Sequence, residues 1–279
     1  MAGAEGIGVS GRGGRQRGGP ARNRRRGGID DDRPLERRPG GKDRGVRVLY
    51  VACEGERTEV DYLNHLTAEF GDGDGNRPRF RIQPISKKNG LLPTEAVEAV
   101  RHYADTDEAW VLFDRDGADR DEDIRQALKA AAVSRVEVGF SHPSFDLWLL
   151  LHFQPFTGAQ NGSSRIVVEK LRNAPGAEAF KDYDRRNDKS VQGSRRDALR
   201  GRESKAAANA RALVGACEHG DCTARSADAG PVEGDARAQP SPRWSARSGH
   251  SEHCAALNRD PSTDVWRLLA ALGIVPHQP

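Results

Sequence analysis

The chain has 279 residues, of which 36% are hydrophobic and 30% are charged, a balance typical of a folded protein with some unfolded sequence attached. Its sequence contains no apolar run near the roughly 18–20 residues that a membrane-spanning helix needs, and its first residues lack the apolar core of a secretory signal. Four scattered cysteines do not predict a disulfide framework. We therefore expect a cytoplasmic location and no membrane partner.

The N-terminal residues 1–44 form a Gly/Arg-rich basic segment with few apolar side chains. Residues 1–45 contain twelve Lys/Arg and six Asp/Glu, whereas the remainder contains 32 and 35. The net charge of +3 therefore combines a basic tail with a mildly acidic body. Because ordering this segment would cost entropy with little burial in return, we predict that it is disordered. It could tether the protein to nucleic acid, or it could be a solubilising leader or follow a start codon placed too far upstream.

Residues 45–155 alternate apolar strand patterns with amphipathic helix patterns. The strands are predicted over residues 46–53, 79–85, 109–113 and 135–140. The helices are predicted from residue 59 onward and over residues 95–104, with Thr94 as cap, 121–132 and 145–153. Strands joined by helices indicate an α/β fold with a mostly parallel sheet flanked by helices.

Residues 156–279 have a weaker pattern and are predicted to form a helical C-terminal part. Helices are expected over residues 165–173, 203–218 and 264–272, with Pro261, Ser262 and Thr263 starting the last one. The stretch 219–257 is rich in Gly, Pro, Ser and Asp, so we predict a disordered insert there.

Acidic residues follow two of the predicted strands directly. Glu54 ends the first strand, and Asp114 and Asp116 end the third. In parallel sheets ligands bind at the carboxyl ends of the strands, and carboxylate oxygens suit Mg²⁺ or Mn²⁺. One interpretation is a metal site in which Glu54 is a ligand or the general base. In the other, Asp114 and Asp116 only form a turn, and Glu54 is a solvated acid at a strand end. Glu59 could add a metal contact or could favour the helix dipole.

Cysteine and histidine residues cluster in the second half of the chain. Paired Cys and His side chains can bind zinc, and the candidate ligands are Cys217, Cys222, His253 and Cys254. Their spacing matches no standard zinc finger, so coincidence within a low-complexity insert is the alternative.

Three sequence blocks resemble the RloB-like family, which occurs near restriction–modification and abortive-infection loci. They are VACEGERTEVDY at 51–62, FDRD at 113–116 and SHPSFDLWLLLHF at 141–153, with further traces at 182–184, Lys189 and 258–265. The likeness spans about residues 46–272 with a gap over 219–257. The first two blocks also resemble the topoisomerase–primase (Toprim) domain, in which a Glu and an Asp-x-Asp hold the metal. The resemblance implies those roles for Glu54, Asp114 and Asp116.

Several other residues are candidates for substrate contact. The family usually has Asn at position 142 and Glu at position 146, where this chain has His142 and Asp146. Asp146 lies among apolar residues, so it must be paired or face the site. His142 could contact phosphate or could only shape the turn before Pro143. Lys87, Lys88 and Lys189 are candidate phosphate contacts.

The favoured function is a metal-dependent nuclease of a bacterial antiphage, abortive-infection system acting on DNA or RNA. The sequence has no Gly-x-x-x-x-Gly-Lys-[Ser/Thr] phosphate loop, and the resemblance implies an ATPase partner encoded nearby. One alternative is a non-catalytic regulatory or binding subunit of a defence ATPase. Another is a different Toprim-type phosphoryl-transfer enzyme.

Overall fold

The computed structural model of the protein describes residues 45–159, 163–219, 221–227, 247–251 and 253–277. The predicted disordered tail, 1–44, lies outside the described residues, as does the middle of the predicted insert, 228–246. Both ends of that insert are described, and in them Ser248 and His250 are buried.

A five-stranded sheet with the order β2-β1-β3-β4-β5 forms the centre of the described chain. The strands are β1 (Val46–Cys53), β2 (Arg79–Ile85), β3 (Glu108–Asp114), β4 (Glu137–His142) and β5 (Ser262–Thr263). The first four pair in parallel, and β5 is antiparallel to β4. Because Cys53 pairs with Leu112 and Asp114 pairs with Ser141, the carboxyl ends of β1, β3 and β4 lie side by side. The predicted α/β fold with a mostly parallel sheet is confirmed.

Helices cover both faces of the sheet, as expected for parallel strands that are buried on both sides. The α-helices of the described residues are α1 (Thr58–Phe70), α2 (Pro93–Val100), α3 (Asp121–Ser134), α4 (Phe145–Leu151), α5 (Arg165–Asn173), α6 (Ser194–Leu199), α7 (Glu203–Gly215) and α8 (Val265–Ala271). Residues of α2 and α3 pack with Val111 and Val138 on one face. Residues of α1, α4, α5, α7 and α8 pack with Val51 and Leu112 on the other. None of the described helices is long and apolar enough to cross a membrane.

Two local predictions differ from the structure. Ser262 and Thr263 do not start the last helix but form β5, where Thr263 pairs with Ser141 and α8 begins at Val265. This short strand pairs with the last two residues of β4, Ser141 and His142, and covers that end of its edge. Thr94 lies inside the first turn of α2, and its hydroxyl donates to Asp123 Oδ1 at 2.7 Å rather than capping the helix.

Candidate active site

A cavity of about 480 Å³ opens at the carboxyl ends of β1 and β3. The structure brings most of the acids predicted from the sequence together in its wall. The charged residues of the lining that the sequence had singled out are Glu54, Glu59, Asp114, Asp116, Asp146 and Lys189.

Both carboxylate oxygens of Glu54 accept hydrogen bonds, one from the end of β3 and one from the turn that follows it. Its Oε2 accepts the backbone N–H of Asp114 at 2.9 Å, and its Oε1 accepts a hydrogen bond from Arg120. Burial raises the pKa of Glu54, while the Asp114 N–H and the Arg120 guanidinium oppose that rise. The glutamate is therefore held in place by one neutral donor and one cation.

Asp114 and Asp116 both border the cavity, whereas the residue between them points away. Asp114 Oδ2 accepts the backbone N–H of Phe145 at 2.9 Å, and Arg115 pairs with Asp121 at 2.9 Å. Burial, followed by the charges of Glu59 and Glu54, raises the pKa of Asp114 well above its ordinary value. Asp116 has a positive φ of 36°, a turn conformation that Asp tolerates better than most residues. The strand end thus directs two carboxylates to one side.

Glu59, in the first turn of α1, is a buried acid of the cavity wall. It is 5% exposed. Burial raises its pKa to about 7, and the charges of Asp146 and Glu54 add to the rise while Lys189 opposes it. A methyl group at position 55 would overlap the Glu59 carboxylate, so Gly55 provides the space that this side chain occupies.

Asp146, at the start of α4, is paired as its apolar surroundings require. Tyr183 donates its hydroxyl to Asp146 Oδ1 at 2.6 Å, and Lys189 donates to Oδ2 at 3.1 Å. Burial opposes the charge of Lys189, but the nearby Asp146 carboxylate outweighs it and the pKa of Lys189 is raised. The structure therefore places Asp146 and Lys189 in the cavity as one hydrogen-bonded pair.

The segment that carries Tyr183 and Lys189 is fastened to the start of α1. Thr58 Oγ1 donates to the Lys189 carbonyl at 2.9 Å and lies 3.2 Å from the Tyr183 hydroxyl. Asp61 accepts the backbone N–H of Val191 at 2.9 Å. Sequence reasoning missed the roles of Tyr183, Asp61 and Arg120; the run Asp-Tyr-Asp at 182–184 was the one signal for the first of them.

Replacing Tyr183 with Phe is expected to lower the free energy of unfolding by about 2 kcal/mol, because a buried carboxylate loses a short hydrogen bond. Urea unfolding of both proteins measures the difference. Tyr103→Phe is the control, since that ring stacks on Tyr50 at 3.6 Å without help from its hydroxyl. Its effect should stay within about 0.5 kcal/mol. Equal stability of Tyr183→Phe and the parent chain would contradict the assigned pairing.

Comparison with known proteins identifies the family. The family model described as RloB-like protein matches residues 49–272. The chain belongs to the RloB-like protein family. No curated protein and no solved structure matches it. In this RloB-like protein the matched range contains every residue of the cavity wall and the segment 183–192, which carries Tyr183 and Lys189.

The remaining site candidates of this RloB-like protein lie elsewhere. Lys87 is exposed and pairs with Glu95 at 3.7 Å, and neither it nor Lys88 lines the cavity. His142 is fully buried, with Nε2 3.3 Å from Arg115 Nη1 and 3.5 Å from Asp260 Oδ2. Burial lowers the pKa of His142 to about 4. His142 is therefore part of the turn before Pro143 and does not line the cavity.

The cysteine cluster has a different histidine from the one predicted. Cys217, Cys222 and Cys254 do come together, but the histidine beside them is His250. His253 is exposed and is not part of the group. His250 lies four residues before Cys254, and its Nδ1 is 3.6 Å from the Cys254 sulfur. The sequence pattern alone could not distinguish His250 from His253 as the ligand.

The donor set of the cavity suits a divalent cation with oxygen ligands. Seven acids face two cations of the lining, Arg57 and Lys189, together with Arg120, which binds Glu54. The acids are Glu54, Glu56, Glu59, Asp114, Asp116, Asp146 and Asp184. The ligand atoms of the cysteine cluster all lie within 4.8 Å of one another. Among the described residues, the carboxylate oxygens of the cavity do not form such a close group. Mg²⁺ usually keeps several waters between itself and its carboxylates, so a wider acidic cavity fits it.

Proposed function

We propose that this RloB-like protein is a metal-dependent nuclease that hydrolyses phosphodiesters in its acidic cavity. The observation that carries the proposal is the meeting of Glu54 and Asp114 at adjacent strand ends, joined by a 2.9 Å hydrogen bond. Acidic side chains that outnumber the cations near them destabilise a metal-free protein. Proteins keep such unfavourable groups mainly at functional sites. The Toprim-like order of a Glu on the first strand and an Asp-x-Asp on a later one supports the same assignment.

Glu54, Asp114 and Asp116 would hold Mg²⁺ or Mn²⁺. Such an ion supplies charge stabilisation for the phosphate and lowers the pKa of bound water. Glu59 lines the same cavity and would accept a proton there, and burial raises its pKa in the metal-free protein. Lys189, held by Asp146, would contact a phosphate oxygen. Arg120 keeps Glu54 oriented.

The proposed biological setting is supported by the resemblance described in the sequence analysis and not by the cavity. We place the activity in a bacterial antiphage system of the abortive-infection type, with nucleic acid as substrate and an ATPase partner. The Arg-rich tail, 1–44, would raise the encounter rate with a polyanion and make it dependent on salt.

A cleavage assay tests the proposal. The purified full chain is incubated with supercoiled plasmid, single-stranded DNA, total RNA and tRNA, each with Mg²⁺, with Mn²⁺ or with EDTA. Cleavage of at least one substrate that requires the metal is the expected result. The assay is repeated with the product of an adjacent ATPase gene and ATP. A chain that binds the metal but cleaves none of these substrates under any condition would contradict the proposal and favour a regulatory subunit.

Gly55→Ala is expected to reduce cleavage between about tenfold and a hundredfold, because the added methyl displaces the Glu59 carboxylate from its position. The rate is measured at saturating metal, so that a change in metal affinity does not enter. Gly75→Ala is the matched control, since a methyl at that exposed position meets no atom within 4 Å. An unchanged rate for Gly55→Ala would remove Glu59 from the proposed mechanism.

A further inference from the structure

A cluster of three cysteines and one histidine lies away from the acidic cavity. Its members are Cys217, Cys222, His250 and Cys254, and their ligand atoms all lie within 4.8 Å of one another. Cys217 follows the end of α7, and Cys254 precedes the segment that leads into β5. His250 and Cys254 are buried, and the other two are partly exposed. The cluster therefore joins two parts of the chain that are far apart in sequence.

The spacing of the ligand atoms matches a tetrahedral zinc site. Zinc–sulfur bonds of about 2.3 Å and zinc–nitrogen bonds of about 2.05 Å, at tetrahedral angles, separate two sulfurs by about 3.8 Å and a sulfur from a nitrogen by about 3.6 Å. Cys217 Sγ lies 3.6 Å from Cys254 Sγ, and Cys254 Sγ lies 3.6 Å from His250 Nδ1. A disulfide needs sulfurs about 2.05 Å apart, so the pair is not bonded.

Two donors near the cluster would stabilise thiolates that are bound to a metal. The backbone N–H of Ser251 donates to Cys222 Sγ at 3.3 Å, an outer contact of the kind that orients metal ligands. The buried Arg259 donates to the Cys254 carbonyl at 2.9 Å. Three thiolates and one Zn²⁺ carry a net negative charge, and this guanidinium would compensate it.

We propose that Cys217, Cys222, His250 and Cys254 bind one structural Zn²⁺. Four protein ligands leave no open position, which distinguishes a structural zinc from a catalytic one. The ion fastens the end of α7 to the segment that supplies β5, the strand that covers the edge of β4. The zinc therefore stabilises the fold and takes no part in the chemistry of the acidic cavity.

Two other histidines lie near the cysteine cluster and must be distinguished from the proposed ligand His250. His219 Nδ1 is 3.5 Å from Cys217 Sγ, and His253 is adjacent to Cys254 in sequence. Neither belongs to the group whose ligand atoms are mutually close. His219→Ala and His253→Ala are therefore matched controls for His250→Ala.

Metal analysis of the purified full chain tests the site. We expect about one zinc per chain, and cobalt reconstitution should produce the visible absorption of a tetrahedral cobalt–thiolate complex. Cys222→Ser and His250→Ala should lose the bound zinc, and His219→Ala and His253→Ala should keep it. Chelation of the parent chain should lower its melting temperature.

If Cys222→Ser fails to fold, cobalt reconstitution of the parent chain still tests the proposal, because it needs no substitution. Absence of both zinc and the cobalt–thiolate absorption in the parent chain would overturn the site. A disulfide between Cys217 and Cys254 detected by mass spectrometry in the native protein would overturn it as well. Zinc retained by His250→Ala but lost by His219→Ala would overturn the assigned ligand set.

Discussion

Asp114→Asn is expected to reduce metal-dependent cleavage at least about a hundredfold. The substitution preserves shape, and the amide oxygen of Asn can still accept the Phe145 N–H that Asp114 Oδ2 accepts at 2.9 Å. What is lost is a partly buried carboxylate beside Glu54 and Glu59 that could ionise and bind the metal. A metal that stabilises a transition state contributes several kcal/mol, and each 1.4 kcal/mol is a factor of ten in rate. Initial rates over a metal titration measure the loss.

The same substitution is expected to stabilise the metal-free protein. Burial and neighbouring acids raise the pKa of Asp114, so its ionised form is unfavourable in the fold. A more stable but inactive variant separates loss of chemistry from loss of folding. Asp119→Asn is the control, because Asp119 is an exposed acid of the same connection that does not line the cavity. Full activity of Asp114→Asn with either metal would remove the proposed metal site.

The sequence predicted the sheet well because buried parallel strands have a simple signature. β1 and β2 have the predicted bounds, 46–53 and 79–85. β1 is a short, mostly apolar run, and β2 begins with alternating polar and apolar residues, which are both strand patterns. The positions of Glu54 and Asp114 followed from those strands together with the rule that parallel strand ends share an edge. Strand ends thus specify a location in space, which is why these acids could be placed without knowledge of the structure.

Contacts formed by loops could not be predicted in this way. Arg120 lies in a polar turn among other charges, and nothing in its neighbours marks it as the partner of Glu54. Tyr183 reaches Asp146 from a segment 37 residues away along the chain. His250 and His253 lie close together in sequence, yet of these two only His250 belongs to the cysteine cluster. The periodicity of apolar residues predicts helices and strands. The contacts of Arg120, Tyr183 and His250 depend instead on how irregular segments of the chain pack against those helices and strands.

The stability of the metal-free protein is expected to fall with rising pH relative to that of Glu59→Gln. The pKa of Glu59 is about 7 in the fold and close to the ordinary 4.5 when unfolded. Between these values the folded state binds more protons than the unfolded state, so the free energy of unfolding decreases as pH rises. The slope approaches about 1.4 kcal/mol for each pH unit, on the order of 3 kcal/mol across the window. Gln stays neutral and lacks this term.

The difference between the two proteins is measured by urea unfolding at intervals from pH 4.5 to 7.5 in EDTA. Taking the difference cancels the opposite effect of His142 and His152, whose lowered pKa values stabilise the fold as pH rises. Mn²⁺ should reverse the trend in the parent chain, because ionised carboxylates bind it and ligand binding stabilises the folded state. Asp114→Asn should gain little from Mn²⁺ at any pH. Parallel curves for the parent chain and Glu59→Gln would show that Glu59 ionises normally, and the proposed role of Glu59 as a general base would lose its support.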